Sequence, residues 1–320
     1  MSGKVPTAFD KPAPTRDGYG AGLYKVGAQD ERVVALDADL AESTRSKWFG
    51  DAHPSRFFQM GIAEQDMVLT AAGLASAGFR PFASTFAIFT ERAFEITRNA
   101  VARPNLNVKI VGSHGGIMTG EDGSSAHAIE DVAIYRALAN FRVVVPADAN
   151  EAMNAVAALN AIDGPAYLKL TRQKVPVLTA PDAPFVVGHW PTLRDGADVT
   201  LLACGALVAE ALVAHDLLKA QGVSARVVNA HTVKPVGLAT LERAARETGA
   251  LVTAEDHSVL GGLGGAVAES ISEVYPVPVK RVGVYDRYIE SGLPTELYEK
   301  YGLNGKALAA AALDAIKTKR

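Results

Sequence analysis

Three polar residues, Glu64, Gln65 and Asp66, stand where a strand-like run, Ser-Arg-Phe-Phe-Gln, gives way to an almost uncharged stretch, Met-Val-Leu-Thr-Ala-Ala-Gly-Leu-Ala. Nothing in that stretch would hold it at a surface, so Glu64 is expected at the mouth of a buried helix. A carboxyl in apolar surroundings resists ionisation and can keep or share a proton, which suits acid–base work. Other reactive types follow other strand-like runs: Asp37 and Asp39, Ser84, His114 and Arg172. Each alone also has a plain structural reading. A glutamate in a first helical turn partners the helix dipole, His114 before Gly115-Gly116 fits a loop, and Arg172 fits a surface charge. Their shared place at strand ends favours a site, because open α/β sheets bind ligands at the carboxyl ends of their strands.

The elements that would position them alternate. Short β-branched runs fall at 32–37, 56–59, 80–84, 107–112, 141–146 and 166–170, with alanine-rich amphipathic stretches near 16–28, 64–77, 88–102, 129–139 and 149–162. Asp148 and Glu151, three apart before an apolar run, fit a capping box. Continuous apolar strands separated by helices predict a mainly parallel sheet covered on both faces. From about 176 to 189 several prolines interrupt any periodicity, which reads as a linker. Alternation then resumes, with strands near 199–204, 225–229, 250–254 and 278–283 and helices near 206–220, 237–246, 263–274 and 306–317. The expected organisation is two α/β domains, 1–180 and 190–320.

A chain of 320 residues exceeds one typical core. Its net charge of -3 and its dispersed Lys and Arg exclude a nucleic-acid footprint. The N-terminal residues lack the apolar core of a signal peptide. The apolar stretch 201–218 is broken by Glu210, His215 and Asp216 and is too short for a bilayer. No membrane role is expected, and a cytoplasmic location is. The single cysteine, Cys204, reads as a small buried hydrophobe. His114, His127 and Cys204 have no metal-ligand spacing, and the run Gly262-x-Gly264-x-x-Val267 lacks the third glycine of a dinucleotide fingerprint.

The sharpest pattern is Gly112-Ser-His-Gly-Gly-Ile-Met-Thr-Gly-Glu-Asp-Gly-Ser-Ser-Ala-His-Ala-Ile-Glu-Asp-Val132. With Ile62-Ala-Glu-Gln65, Ala83-Ser-Thr-Phe-Ala-Ile-Phe89, Leu170-Thr-Arg-Gln173, Ala254-Glu-Asp-His257 and Gly261-Gly-Leu-Gly-Gly265 it resembles the second half of transketolases, over nearly the whole chain. In that family one domain binds the diphosphate of thiamine diphosphate, one its aminopyrimidine, and a third is C-terminal. The resemblance covers the last two. The family's Gly-Asp-Gly followed some thirty residues on by Asn does not occur here. The resemblance therefore implies the C-terminal subunit of a two-chain enzyme. Its N-terminal partner would carry the diphosphate-binding domain and Mg2+ (or Ca2+), in an α2β2 assembly.

It also implies residue roles. Glu64 would meet N1′ of the aminopyrimidine and favour the imino form, whose 4′-nitrogen deprotonates C2, so that the cofactor does the hard chemistry. Phe86 and Phe89 would form an aromatic wall, although helix core explains them equally on spacing alone. Asp39 resembles a cofactor-site acid. Arg16, Ser43, His114 and Arg172 match residues that hold a sugar phosphate, which suits arginine forks and a hydroxyl. Asp122 matches a residue that bonds a sugar hydroxyl and sets stereochemistry. At the position of Ala126 many transketolases carry His or Gln; either His127 substitutes or that contact is missing. The implied reaction moves a two-carbon ketol unit from a ketose phosphate to an aldose phosphate. A split transketolase for another sugar, such as apulose 4-phosphate, the β subunit of a 2-oxo acid dehydrogenase, a 1-deoxyxylulose-5-phosphate synthase and a non-catalytic scaffold stand as alternatives.

Overall fold

The computed structural model describes residues 5–319, and the expected domain limits at residues 1 and 320 lie outside them. The chain forms two compact units. One runs to Gly115 and resumes over Ala137–Val187; the other takes Gly116–Arg136 and runs from Gly188 onward.

In the first unit parallel strands lie in the order Arg142–Val144, Ala166–Lys169, Lys109–Ser113, Arg80–Phe86, Val33–Asp37 and Phe57–Gln59. The central ones are buried along their length, as parallel strands covered on both faces must be. Register aligns their ends: Asp37 pairs with Gln59 and with Ser84, and Phe86 with Ser113. The helices Thr15–Gln29 and Ala149–Ala161 pack closely. A Cβ on Gly18 would come within 2.0 Å of the Ala149 carbonyl oxygen, and one on Gly22 within 2.8 Å of that of Met153. A short antiparallel pair, Ala13–Pro14 with Lys174–Val175, escaped the sequence reading because two-residue strands have no periodicity. The single helix expected over 88–102 is broken into Ala87–Thr90, a 3-10 turn Glu91–Ala93, Phe94–Ile96 and a π-helical end Thr97–Ala102.

The second unit holds a five-stranded sheet in the order Val279–Val284, Leu251–Ser258, Val199–Ala203, Ala225–Asn229 and Thr192–Arg194, the last antiparallel at its edge. Leu207–Lys219, Leu238–Thr248, Leu263–Val274 and Gly305–Lys317 are its longer helices. Trp190 is buried, with its Nε1 donating to the Thr232 carbonyl at 2.7 Å, and Cys204 is a buried free thiol. Residues 116–136 join this unit although they interrupt the chain of the other. Among the described residues no helix is long and apolar enough to cross a membrane.

The expected cap at Asp148 forms, with a shift of partner. Asp148 accepts from the Glu151 N–H at 2.8 Å, while Glu151 reaches back to the Ala147 N–H at 2.6 Å, one residue earlier than a capping box requires. Asp148 also accepts from the N–H groups of Leu178 and Thr179, each at 2.6 Å, and from the Thr179 hydroxyl at 2.8 Å. The proline-rich stretch is thereby tied to the first unit. Asn150 and Asn154 continue the tether to the carbonyls of Thr179, Pro181 and Ala183. Asp148→Ala removes a cap and orphans buried donors together, so it should cost about 2–4 kcal/mol. Urea unfolding of the chain reads this as a lower midpoint, with Asp148→Asn between the two. An unchanged midpoint for the alanine variant would deny the carboxylate this role.

Candidate active site

The carboxyl edge of the first unit's sheet is organised by Asp37. Fully buried at the end of its strand, it accepts from the Leu40 N–H at 2.6 Å, the Thr44 hydroxyl at 2.7 Å and the Ser46 hydroxyl at 2.8 Å. Burial pushes its carboxyl up to about 6, against the pull of these bonds. The loop it holds carries Asp39, Ser43 and Arg45, with Asp39 and Arg45 in left-handed backbone at φ 64° and 71°. The Asp39 N–H donates to Gln59 Oε1 at 2.8 Å. Asp39 and Ser43 line a cleft of about 450 Å³ together with Lys47, Phe57 and Gln59, and none of Arg16, Glu64, Phe86, Phe89, His114 or Arg172 lines it.

Arg16 and Arg172 each follow a threonine, and the two threonines bond reciprocally. The Thr171 N–H donates to Thr15 Oγ1 at 2.7 Å, and the Thr15 N–H to Thr171 Oγ1 at 3.2 Å. Residues 156 apart in sequence are thereby joined. Arg16 Nη1 donates to the Ser43 carbonyl at 3.1 Å and to His114 Nε2 at 3.2 Å, while its buried Nε has no partner. Arginine only donates, so Nε2 is the acceptor and Nδ1 carries the proton, facing Ser113 Oγ at 2.9 Å. Burial, and then the charges of Arg16, Arg172 and Arg45, push His114 down to about 3, which makes it a neutral imidazole. Burial and the neighbouring Arg45 also lower Arg16. Arg45 is bound to Asp17 at 2.7 Å and to the Glu42 carbonyl.

His114 sits at φ 60°, and its ring stacks on Phe86 with centroids 3.8 Å apart. Phe86 stacks in turn on Phe89, at 5.7 Å and 9° between planes. The helix-core alternative fails for Phe86, which ends a strand, and both rings are half-buried. Glu64 opens the helix Glu64–Ser76 and is buried, as its apolar surroundings predict. The guanidinium of Arg92, three residues past Phe89, stands 3.3 Å from Glu64 Oε2, and Gln65 donates to the Arg92 carbonyl at 3.1 Å.

Asp122 and His127 belong to the second unit. Asp122 is exposed at the end of the 3-10 stretch Ile117–Asp122. His127 is buried and turned onto its own loop, its Nε2 donating to the Gly120 carbonyl at 3.0 Å and its Nδ1 without a partner.

The first unit thus brings together Arg16, the Ser43 backbone, His114, Arg172, Phe86 and Phe89, and sets Arg92 on Glu64. Sequence reasoning assigned no role to Asp37, Arg45 or Arg92. Only Asp37 left a signal, as an acid ending an otherwise apolar strand. Arg45 and Arg92 look like ordinary surface charges until the backbone turns them inward. The arrangement supplies a buried carboxyl, an aromatic face and an excess of positive charge around a neutral ring. Those parts suit a flat heterocycle and an anion.

Comparison with known proteins gives the arrangement its context. Residues 11–177 match the model of the transketolase pyrimidine binding domain, and residues 188–308 that of the transketolase C-terminal domain. The chain resembles a solved split gene transketolase, described as an inactive beta4 tetramer, at 47% identity and a TM-score of 0.89, covering 97% of this chain and 100% of that one. It is 42% identical to the 6-deoxy-6-sulfo-D-fructose transketolase subunit SqwH of a Clostridium species, over 95% of both chains. It is 36% identical to an apulose-4-phosphate transketolase chain of Phocaeicola vulgatus, over 92% of this chain and 95% of that one. The chain belongs to the transketolase family, and is built of that family's pyrimidine-binding and C-terminal domains.

Proposed function

We propose that this chain is the C-terminal subunit of a two-chain transketolase that uses thiamine diphosphate to transfer a two-carbon ketol unit between sugar phosphates. The observation that carries this is the convergence of Arg16, Arg172 and Arg45 on a neutral, buried His114, with Arg16 Nε lacking a partner. Uncompensated guanidinium charge at the carboxyl edge of a parallel sheet suits a phosphate dianion. The same edge carries Glu64, Phe86 and Phe89, whose chemistry fits an aminopyrimidine: a buried carboxyl for a ring nitrogen and an aromatic face for the ring.

Thiamine diphosphate, when bound, supplies the carbon nucleophile that amino-acid side chains lack. Glu64 would hold a proton against the pyrimidine ring nitrogen, with Phe86 and Phe89 orienting the ring. Mostly exposed, Arg92 balances the Glu64 charge in the chain by itself, so its guanidinium must move aside for that contact. Arg16, Arg172 and Ser43 would grip the substrate phosphate. His114, neutral and fixed as the Nδ1–H tautomer, would offer hydrogen bonds without adding charge. Asp39 is assigned to the cofactor and Asp122 to a sugar hydroxyl, both on family resemblance. The diphosphate and its Mg2+ (or Ca2+) would be held by an N-terminal partner chain, in an α2β2 enzyme of the cytoplasm.

A donor outside the common pentose phosphates is favoured by one observation. Ala126 has no hydrogen-bonding side chain, and His127 spends its Nε2 on the Gly120 carbonyl instead. Relatives named for a sulfosugar and for apulose 4-phosphate accord with such divergence.

The chain alone should bind thiamine diphosphate weakly and turn nothing over, and addition of a chain carrying the diphosphate-binding domain should restore both. Calorimetric titration with cofactor and Mg2+ tests this; submicromolar binding without a partner would overturn the two-chain assignment. In the reconstituted enzyme Glu64→Gln should fold and still bind cofactor but lose hydrogen–deuterium exchange at the cofactor's C2. A wild-type exchange rate would remove Glu64 from the chemistry and restore the scaffold alternative. Arg172→Ala should cost about 1.5–3 kcal/mol, roughly ten- to a hundredfold in kcat/KM, for a sugar phosphate. A non-phosphorylated donor such as hydroxypyruvate should be nearly unaffected. Equal losses on both donors would make Arg172 a structural residue.

A further inference from the structure

Residues 116–136 enter the second unit through a buried carboxylate that no part of the proposed chemistry uses. Asp256, at the carboxyl end of its strand, accepts from the Ile117 N–H at 2.8 Å and the Met118 N–H at 3.2 Å. The Tyr298 hydroxyl donates to the same carboxylate at 3.0 Å. These are the first donors of the 3-10 stretch that ends at Asp122, so Asp256 caps the turn from a point more than a hundred residues away. Gly116 makes room for it. At φ 79° it sits in left-handed backbone, and a Cβ there would lie 2.3 Å from the Asp256 carboxyl.

The far end of the turn is fixed just as closely. Gly120 and Gly123 have φ 73° and 81°. A Cβ on Gly123 would stand 2.3 Å from Ser291 Oγ, and one on Gly120 2.9 Å from Pro294 Cγ. Pro294 opens the helix Pro294–Tyr301, which also carries Tyr298. One helix therefore touches the turn directly at Gly120 and indirectly through Asp256. Glu121 and Asp122 project from backbone held at both ends.

The remainder of the segment has separate anchors. The Ser258 N–H donates to the Ile129 carbonyl at 2.7 Å, the Ala133 N–H to His257 Nε2 at 3.2 Å, and Arg136 Nε to the Gly261 carbonyl at 2.7 Å. Weakening the Asp256 cap would thus disturb residues 117–122 and leave 129–136 in place.

We propose that Asp256 and Tyr298 are positioning residues, which fix where Asp122 stands and so which configuration of sugar hydroxyl the enzyme accepts. This rests on the assignment of Asp122 to a substrate hydroxyl. It gives the C-terminal domain a part in specificity, exerted through backbone rather than through contact with the sugar.

The test uses the reconstituted two-chain enzyme and two ketose phosphate donors that differ only in configuration at one hydroxyl, with Asp122→Ala as reference. Asp256→Asn keeps the shape but turns an amide donor toward one of the N–H groups. It should raise KM for the preferred donor at least about fivefold and narrow the ratio of kcat/KM between the two donors, with kcat and cofactor Kd within about twofold of wild type. Tyr298→Phe, which leaves both N–H bonds, should act in the same direction by about two- to threefold. It carries the comparison alone where Asp256→Asn does not fold. If Asp122→Ala erases the donor preference while Asp256→Asn and Tyr298→Phe keep wild-type KM and ratio, the positioning role is overturned. Parallel losses in kcat, cofactor affinity and KM would overturn it too, as general loosening. An Asp122→Ala enzyme with wild-type KM and ratio would overturn it at its base and locate the fault in the assignment of Asp122.

Discussion

Parallel register is the constraint on which this chain's chemistry depends. Because Asp37 pairs with both Gln59 and Ser84, and Phe86 with Ser113, neighbouring strands end together and their next residues emerge along one edge. Parallel strands cannot be joined by hairpins, so each strand end opens into a loop or helix start free to carry function. Glu64, Phe89 and His114 are all such residues. A slip of one residue would reverse every inward face, so the packing that stabilises the sheet also fixes the site.

Strand ends alone do not gather residues from the two ends of the first unit. The reciprocal Thr15–Thr171 pair does that. Each threonine satisfies the other's backbone donor, a local solution to the rule that buried N–H groups must be paired. The arginine that follows each is delivered to the same place. Asp37 works similarly on the third side, its carboxylate taking three donors and shaping the loop that sets the Ser43 carbonyl against Arg16.

These features differ in how legible they were in the sequence. The alternation of strands and helices was plain, because apolar runs and amphipathic periods are local and repeated. The burial of Glu64 followed from the neutrality of the helix behind it. The broken helix over 87–102 was hidden, since 3-10 and π turns share its hydrophobic pattern. The Arg92–Glu64 ion pair, the capture of residues 116–136 by Asp256 and the short Ala13–Pro14 strand were hidden for another reason. Each is a contact across long sequence distance made by one or two residues, and such contacts leave no period. Family resemblance supplied Arg16, Ser43, His114 and Arg172 as a set where spacing could not. It was silent on Asp37 and Arg45, which hold that set in place.

Placing guanidiniums beside one another and beside a buried imidazole works against folding. Like charges repel more strongly where water is excluded, and a buried nitrogen without an acceptor costs free energy. His114 meets the constraint by staying neutral, and Arg45 by pairing with Asp17. Arg16 keeps an unpartnered Nε despite its bonds to Ser43 and His114. A sequence selected for stability alone would place a carboxylate there. Its absence leaves a local conflict of the kind proteins keep at functional sites. A bound dianion would resolve that conflict, adding charge-assisted hydrogen bonds and stabilising the fold by linkage. The strain in the free chain and the affinity for phosphate would then be two expressions of the same missing negative charge.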